Sequence, residues 1–98
     1  MTVEIAPFDA ADYLKTAEDC IDLLNDALAS GHPGYIARAL GAVARARGGL
    51  SELERKTHIK RQSLNKALSE QGNPTLETIV PVVAALGLQL KVVEAEAG

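Results

Sequence analysis

Apolar residues recur at helical spacing along most of the chain. Between positions 17 and 29, Ala17, Cys20, Ile21, Leu24, Ala27 and Leu28 share one face at about 100° per residue, and Asp19, Asp22 and Asp26 share another. Leu23 falls beside the acidic face, a position that predicts exposure. Gly31-His32-Pro33-Gly34 breaks the pattern. It resumes over 33–47, where Ile36, Leu40, Val43 and Ala44 form a buried stripe with Arg38 and Arg45 pointing away, and Gly48-Gly49 ends it. Ser51, with Glu54 three residues later, predicts a capping box that opens a short helix to about Thr57. His58-Ile59-Lys60 reads as a turn, and 61–69 as a further helix burying Leu64, Ala67 and Leu68. Past the Gln71-Gly72-Asn73-Pro74 loop, Thr75 caps a helix to about Leu86, which Pro81 is expected to kink or split. Gly87 ends that element. Leu88, Leu90 and Val92 then alternate with Gln89, Lys91 and Val93, which predicts a short strand. Residues 1–8 read as extended and 94–98 as a frayed end.

These elements predict an all-α fold of about five helices with a short C-terminal β-strand. They divide into an acidic N-terminal segment and helix packing on the core (1–32), a helical domain (33–87), and a strand with a frayed tail (88–98). The 98 residues have room for one domain and one modest core. Apolar residues make up 47% but aromatics only 3%, so the core must be aliphatic. Cys20 is the single cysteine, so no internal disulfide can form, and a reducing cytoplasm is the expected compartment. Met1–Pro7 lacks the basic-then-apolar pattern of a signal peptide, and no apolar run reaches the ~18 residues of a spanning helix.

The net charge of −3 argues at first against nucleic acid. Its distribution argues otherwise. Residues 1–36 carry seven acids against Lys15 alone, 37–70 carry eight bases against three acids, and 71–98 carry three acids against Lys91. An acidic head and a basic middle suit two different partners.

The basic middle contains the one specific motif, two short helices, 51–57 and 61–69, joined by a tight turn. Leu53, Ile59 and Leu64 are placed to converge and lock the pair at a steep angle. The second helix then turns outward a face with Gln62, Asn65, Lys66 and Ser69, bordered by Arg61 and Ser63. Such side chains suit a major groove: Arg pairs with guanine, Gln and Asn with adenine, and Lys with guanine or phosphate. No carboxylate lies between Arg61 and Ser69 in the sequence. The competing expectation is a plain helical hairpin with a solvated polar face.

Residues 40–93 resemble antidote proteins of bacterial addiction modules, of the HigA-like, Cro/lambda-repressor class of helix-turn-helix proteins, and 8–28 resemble the same family's N-terminal segment. The blocks ALG-x-x-AR-A-RG, R-x-SL-x-KALS and GNPT carry most of the likeness. The resemblance implies a lambda-repressor-like helix-turn-helix domain that neutralises a small ribonuclease toxin of the RelE/HigB class and represses its own operon. It implies base contacts by Arg61, Gln62, Asn65 and Lys66, and phosphate contacts by Arg45, Ser51, Lys60, Ser63, Ser69 and Thr75. The partners so implied are double-stranded operator DNA, a cognate basic toxin and a second copy of the chain, because one recognition helix covers too few base pairs. Asp19, Asp22, Leu23 and Asp26 are the expected toxin-facing residues, since unlike charge raises the on-rate. The chain departs from the family pattern at four positions. His58 stands where the turn normally has Gly, Glu54 where the first helix has a small residue, Lys60 where the second has a hydroxyl cap, and Asn65 where an aromatic is usual.

No catalytic constellation accompanies this motif, so no enzyme and no cofactor is expected. His32, His58 and Cys20 are a poor metal-ligand set, and Ser63, His58 and the acids show no nucleophile arrangement. A stand-alone repressor without a toxin, and a protein-binding module that does not read DNA, are the competing expectations.

Overall fold

The computed structural model describes residues 10–96. A single 3-10 turn, Ala10–Tyr13, leads into five helices: α1 (Ala17–Ser30), α2 (Pro33–Ala46), α3 (Gly49–Thr57), α4 (Arg61–Ala67) and α5 (Leu76–Ala85). The extended reading of residues 1–8 lies outside the described residues.

Helix α1 starts where Thr16 and Asp19 close a reciprocal capping box. The Asp19 backbone N–H donates to Thr16 Oγ1 at 3.1 Å, and the Asp19 carboxylate accepts from the Thr16 N–H at 3.0 Å and the Lys15 N–H at 2.9 Å. Gly31, at φ 71°, ends the helix in the left-handed conformation that glycine takes without cost, and Pro33 starts α2, where its missing N–H is not needed. Helix α2 is the central element: Ala37, Ala39, Leu40, Gly41, Ala42, Val43 and Ala44 are all buried. Gly41 permits a close approach there, since a Cβ would stand 2.5 Å from the Leu68 carbonyl oxygen at the end of α4.

One aliphatic cluster unites Cys20, Leu24 and Ala27 of α1, the α2 stripe, Leu53, Leu64, Leu68, and Val82, Val83 and Leu86 of the last helical segment. Leu53 and Leu64 are fully buried, with Ile59 half-buried against them, so the three residues meant to lock the helix pair do converge on the core. Burial pushes the Cys20 thiol above its ordinary pKa.

Several sequence-based expectations are corrected. Ser51 does not open a helix: α3 begins two residues earlier, at Gly49, after Gly48 at φ 108°, and neither residue offers a side-chain cap. Glu54 is spent elsewhere, as shown below. Pro81 does not split its helix, because α5 runs through it. Proline there removes only the bond to the carbonyl one turn back, that of Glu77, an exposed residue whose carbonyl water can satisfy. Leu23, expected outside, is half-buried against the core, whereas Ile21 (42%) and Leu28 (43%), expected inside, are exposed. The α1 face that packs is narrower than the wheel suggested, and it rotates toward Cys20, Leu24 and Ala27. Finally, residues 88–96 form neither helix nor strand, and no strand occurs among the described residues. Among the described residues the alternating segment has no second strand to pair with, so no ladder forms there.

Candidate nucleic-acid interface

Helices α3 and α4 are joined by His58-Ile59-Lys60. The turn needs one residue with positive φ, and His58 supplies it at φ 62°, ψ 14°, while its N–H donates to the Glu54 carbonyl at 2.8 Å. Histidine enters this left-handed region more readily than most side chains. Thr57 Oγ1 donates to the Leu53 carbonyl at 2.7 Å and accepts from the Ile59 N–H at 3.2 Å, which fixes the start of the turn.

The first residue of α4 lacks a hydroxyl cap from Lys60, but its backbone is not left open. The Glu54 carboxylate reaches over from α3 and accepts from the Arg61 N–H at 2.8 Å. That bond satisfies an orphan donor and sets a negative charge at the positive end of the helix dipole. Ser51, also on α3, accepts from Arg61 Nη1 at 3.1 Å. The four departures from the usual family pattern thus include two that compensate each other, Glu54 for Lys60. The acid-free stretch from Arg61 to Ser69 gains a carboxylate from a neighbouring helix, a contact that sequence spacing along α4 could not show.

Of the residues expected at DNA, Arg61, Gln62, Ser63, Asn65 and Lys66 are exposed on α4, with Lys60 exposed just before it. Ser69 lies past the end of α4, where its hydroxyl donates to the Lys66 carbonyl at 2.8 Å. Ser51 joins this group through Arg61. Arg45 is exposed on α2, and Thr75 is exposed at the N-cap of α5 without a side-chain cap bond, so these two stand on separate elements. Among the other bases, Arg47 donates from Nη1 to the Leu86 carbonyl at 2.9 Å, tying a cation to the C-terminal end of α5. Arg55 and Lys56 pair with Glu52, and the Arg55 guanidinium holds the Glu52 carboxyl below its ordinary pKa.

The acidic residues expected at a toxin lie along α1. Asp22 is exposed there. Asp19 is committed to the capping box, and the backbone N–H groups of Lys15 and Thr16 hold its carboxyl below the usual value. Asp26 accepts from the Tyr35 hydroxyl at 2.6 Å, and that hydrogen bond, which favours the protonated phenol, holds Tyr35 above its usual pKa. The Arg38 guanidinium stands 5.5 Å from the Tyr35 ring centroid and 3.6 Å from Glu70, extending the network toward the end of α4.

Sequence reasoning missed an apolar groove between α1, α2, α5 and the C-terminal segment. Ile21, Leu28, Ile36 and Ile79 line its floor and walls with Leu88, Leu90, Val92 and Val93 of the tail. The alternation of 88–93 and the breadth of the α1 stripe were its only traces. No group of acids, histidines and cysteine suited to a metal ion occurs among the described residues, and no described helix is long and apolar enough to cross a membrane.

Residues 4–94 match a family model described as "Probable addiction module antidote protein". The chain is 41% identical over 92 residues to a protein of Haemophilus influenzae described as uncharacterized, covering 94% of each chain. No solved structure matches it. The match spans the helix pair, the acidic α1 and the tail together, and the chain belongs to the family of probable addiction module antidote proteins.

Proposed function

We propose that this chain is the antitoxin of a type II toxin–antitoxin module. It captures a basic RelE/HigB-like ribonuclease toxin, and as a cytoplasmic homodimer it represses its own operon by sequence-specific binding to double-stranded operator DNA. The domain is lambda-repressor-like, with α4 as the recognition helix. The observation that supports this reading best is α4 itself. Leu64, with no exposed surface, pins the helix to the core, while Arg61, Gln62, Asn65 and Lys66 are exposed on it, with the Glu54 carboxylate of α3 held against the Arg61 N–H at the helix start. Base readout falls to those four residues, and phosphate contacts to Lys60, Ser63, Ser51, Ser69, Arg45 and Thr75. Toxin capture falls to α1, with Asp22 and Asp26 as its charged contacts; Asp19 and Leu23 shape that helix from within.

Two measurements test the two halves separately. Gel shift of the chain's own promoter is expected to show binding that weakens steeply as salt rises, because phosphate contacts release counterions. Copurification from cells expressing the whole operon is expected to yield a complex with the neighbouring basic protein. A promoter left unshifted at low salt would leave a protein-binding module, and a shift without a copurifying partner would leave a stand-alone repressor.

A further inference from the structure

The apolar groove and the C-terminal segment beside it have the chemistry of a seam. Ile21 and Leu28 expose more than two-fifths of their surface, Leu90 exposes 46%, Val92 95% and Val93 77%. Solvent-exposed apolar side chains gathered in one groove mark an interaction surface rather than a scattered remainder. From Gln89 to Glu96 the backbone takes no part in helix or strand, and among the described residues the last backbone bond that ties it to the body is the Leu88 N–H to the Val83 carbonyl at 3.0 Å.

We propose that the occupant of this groove is a second copy of the chain, joined by antiparallel pairing of the two tails about a twofold axis at Leu90. In the extended conformation that such pairing requires, alternation puts Leu88, Leu90 and Val92 on one side of the segment and Gln89 and Lys91 on the other. Centred on Leu90, the pairing sets Leu90 opposite its own copy, Leu88 opposite Val92 of the second copy, and Gln89 opposite Lys91. All six apolar side chains then share one face, and the amide of Gln89 meets the ammonium of Lys91. Centring the pair one residue on, at Lys91, sets two ammonium groups face to face, which is destabilising. A self-complementary seam of this kind is what a twofold dimer requires.

Charge selects the second copy over the toxin. Lys91 is the one charged residue among those lining the groove, and it is positive. A basic partner gains nothing there, whereas Asp22 and Asp26 await it on the acidic side of α1. The tail of a second copy is apolar from Leu88 to Val93 except for Gln89 and Lys91, and the pairing sets its Lys91 opposite Gln89, off the apolar face. No residue of α3 or α4 lines it, so the seam leaves both recognition helices uncovered. The inference deepens the operator-binding reading and rests on its need for two recognition helices.

Light scattering and disulfide trapping on the full chain test the seam. The wild type is expected to be a dimer at micromolar concentration. Mild oxidation with diamide is expected to link Leu90→Cys to itself and to link Leu88→Cys only when mixed with Val92→Cys. Buried Cys20 stays out of the reaction, so the wild type is expected to remain unlinked. Leu90→Asp, at an exposed position, is expected to keep its helical circular dichroism and melting point, to become monomeric, and to lose at least tenfold in promoter affinity while still capturing the toxin. A monomeric wild type, a Leu90→Asp chain that stays dimeric, or Leu88→Cys linking to itself as readily as Leu90→Cys each overturns the proposal. Tail amides that gain hydrogen-exchange protection only when toxin is added also overturn it, because the groove then belongs to the toxin. If the wild type is a dimer trapped through Leu90 yet leaves the promoter unshifted, the seam stands and the operator reading falls.

Discussion

The outer face of α4 and the acidic face of α1 carry comparable rows of polar side chains, and on a helical wheel they look alike. They differ in how the chain uses them. Around α4, intramolecular bonds go mainly to the backbone: Glu54 caps Arg61, and Ser69 returns to the Lys66 carbonyl. Gln62, Asn65 and Lys66 remain exposed on the surface. On α1, two of the three aspartates spend oxygens on the chain itself, Asp19 on two backbone N–H groups and Asp26 on Tyr35. A wheel counts charges, whereas binding depends on which lone pairs and donors the fold leaves over. By that measure α4 is a presented surface, and α1 is partly a structural one whose free charge is concentrated at Asp22.

The largest effect is expected where the presented surface is anchored. Leu64→Ala empties a site with no exposed surface between α4 and the core. It is expected to cost about 2–5 kcal/mol of stability, the cost of a buried leucine truncation, read from denaturant midpoints. A loss below ~1 kcal/mol would mean that α4 collapses into the space, and that it is less rigidly held than its burial implies.

Next comes readout itself. Gln62→Ala is expected to cost about 1–3 kcal/mol of specific operator affinity with no change in melting, because the side chain is exposed. Arg61→Ala is a less clean test, since its guanidinium also bonds Ser51 on α3. Operator affinity unaltered in Gln62→Ala would remove that residue from the base-contact set.

The two regions also differ in how far the sequence disclosed them. Helix order, the α3–turn–α4 pair and the roles of Leu53, Ile59 and Leu64 were all legible, because periodicity records burial directly. The real capping box was overlooked: Thr16-x-x-Asp19 has the shorter acid at its third position, and Ser51-x-x-Glu54 matched the usual pattern better. Ser51 sits in the first turn of α3 instead of before it, and Glu54, seven residues ahead of Arg61, caps across a turn that sequence-local rules do not span. The groove was hidden for a related reason. Ile21 and Leu28 fit a core stripe on the wheel, and only the position of α5 and the tail shows that the α1 core is confined to Cys20, Leu24 and Ala27.

For α1, the comparison predicts an effect of moderate size. Reversing Asp22 and Asp26 to Lys is expected to weaken toxin capture by about tenfold, near 1.4 kcal/mol, mostly through a slower on-rate at low salt. Promoter binding is expected to hold. Tyr35→Phe separates charge from structure, since it deletes the hydrogen bond to Asp26 and keeps the carboxylate; capture is expected to stay within about twofold of wild type if charge steers the encounter. Equal capture by the reversed variant and the wild type, in a pull-down titration, would reduce the acidic face to a solvated surface.

The smallest effect is expected at the hinge between the two helices of the presented surface. His58 holds φ 62°, the one positive value among the described non-glycine residues. A side chain in this region crowds the following carbonyl, at a cost of roughly 1–2 kcal/mol for most residues and less for histidine. Glycine removes the crowding but enlarges the freedom of the unfolded chain, which offsets part of the gain. His58→Gly is therefore expected to stabilise the fold by about 0.5–1 kcal/mol, and His58→Ala to destabilise it by a similar amount. The backbone bond from residue 58 to the Glu54 carbonyl survives in both, so the turn keeps its path and operator affinity is expected to be unchanged. Denaturant midpoints for the two variants provide the check. If glycine and alanine destabilise alike, the imidazole supplies a contact worth more than the strain, and His58 is held at the turn by its side chain instead of being tolerated there.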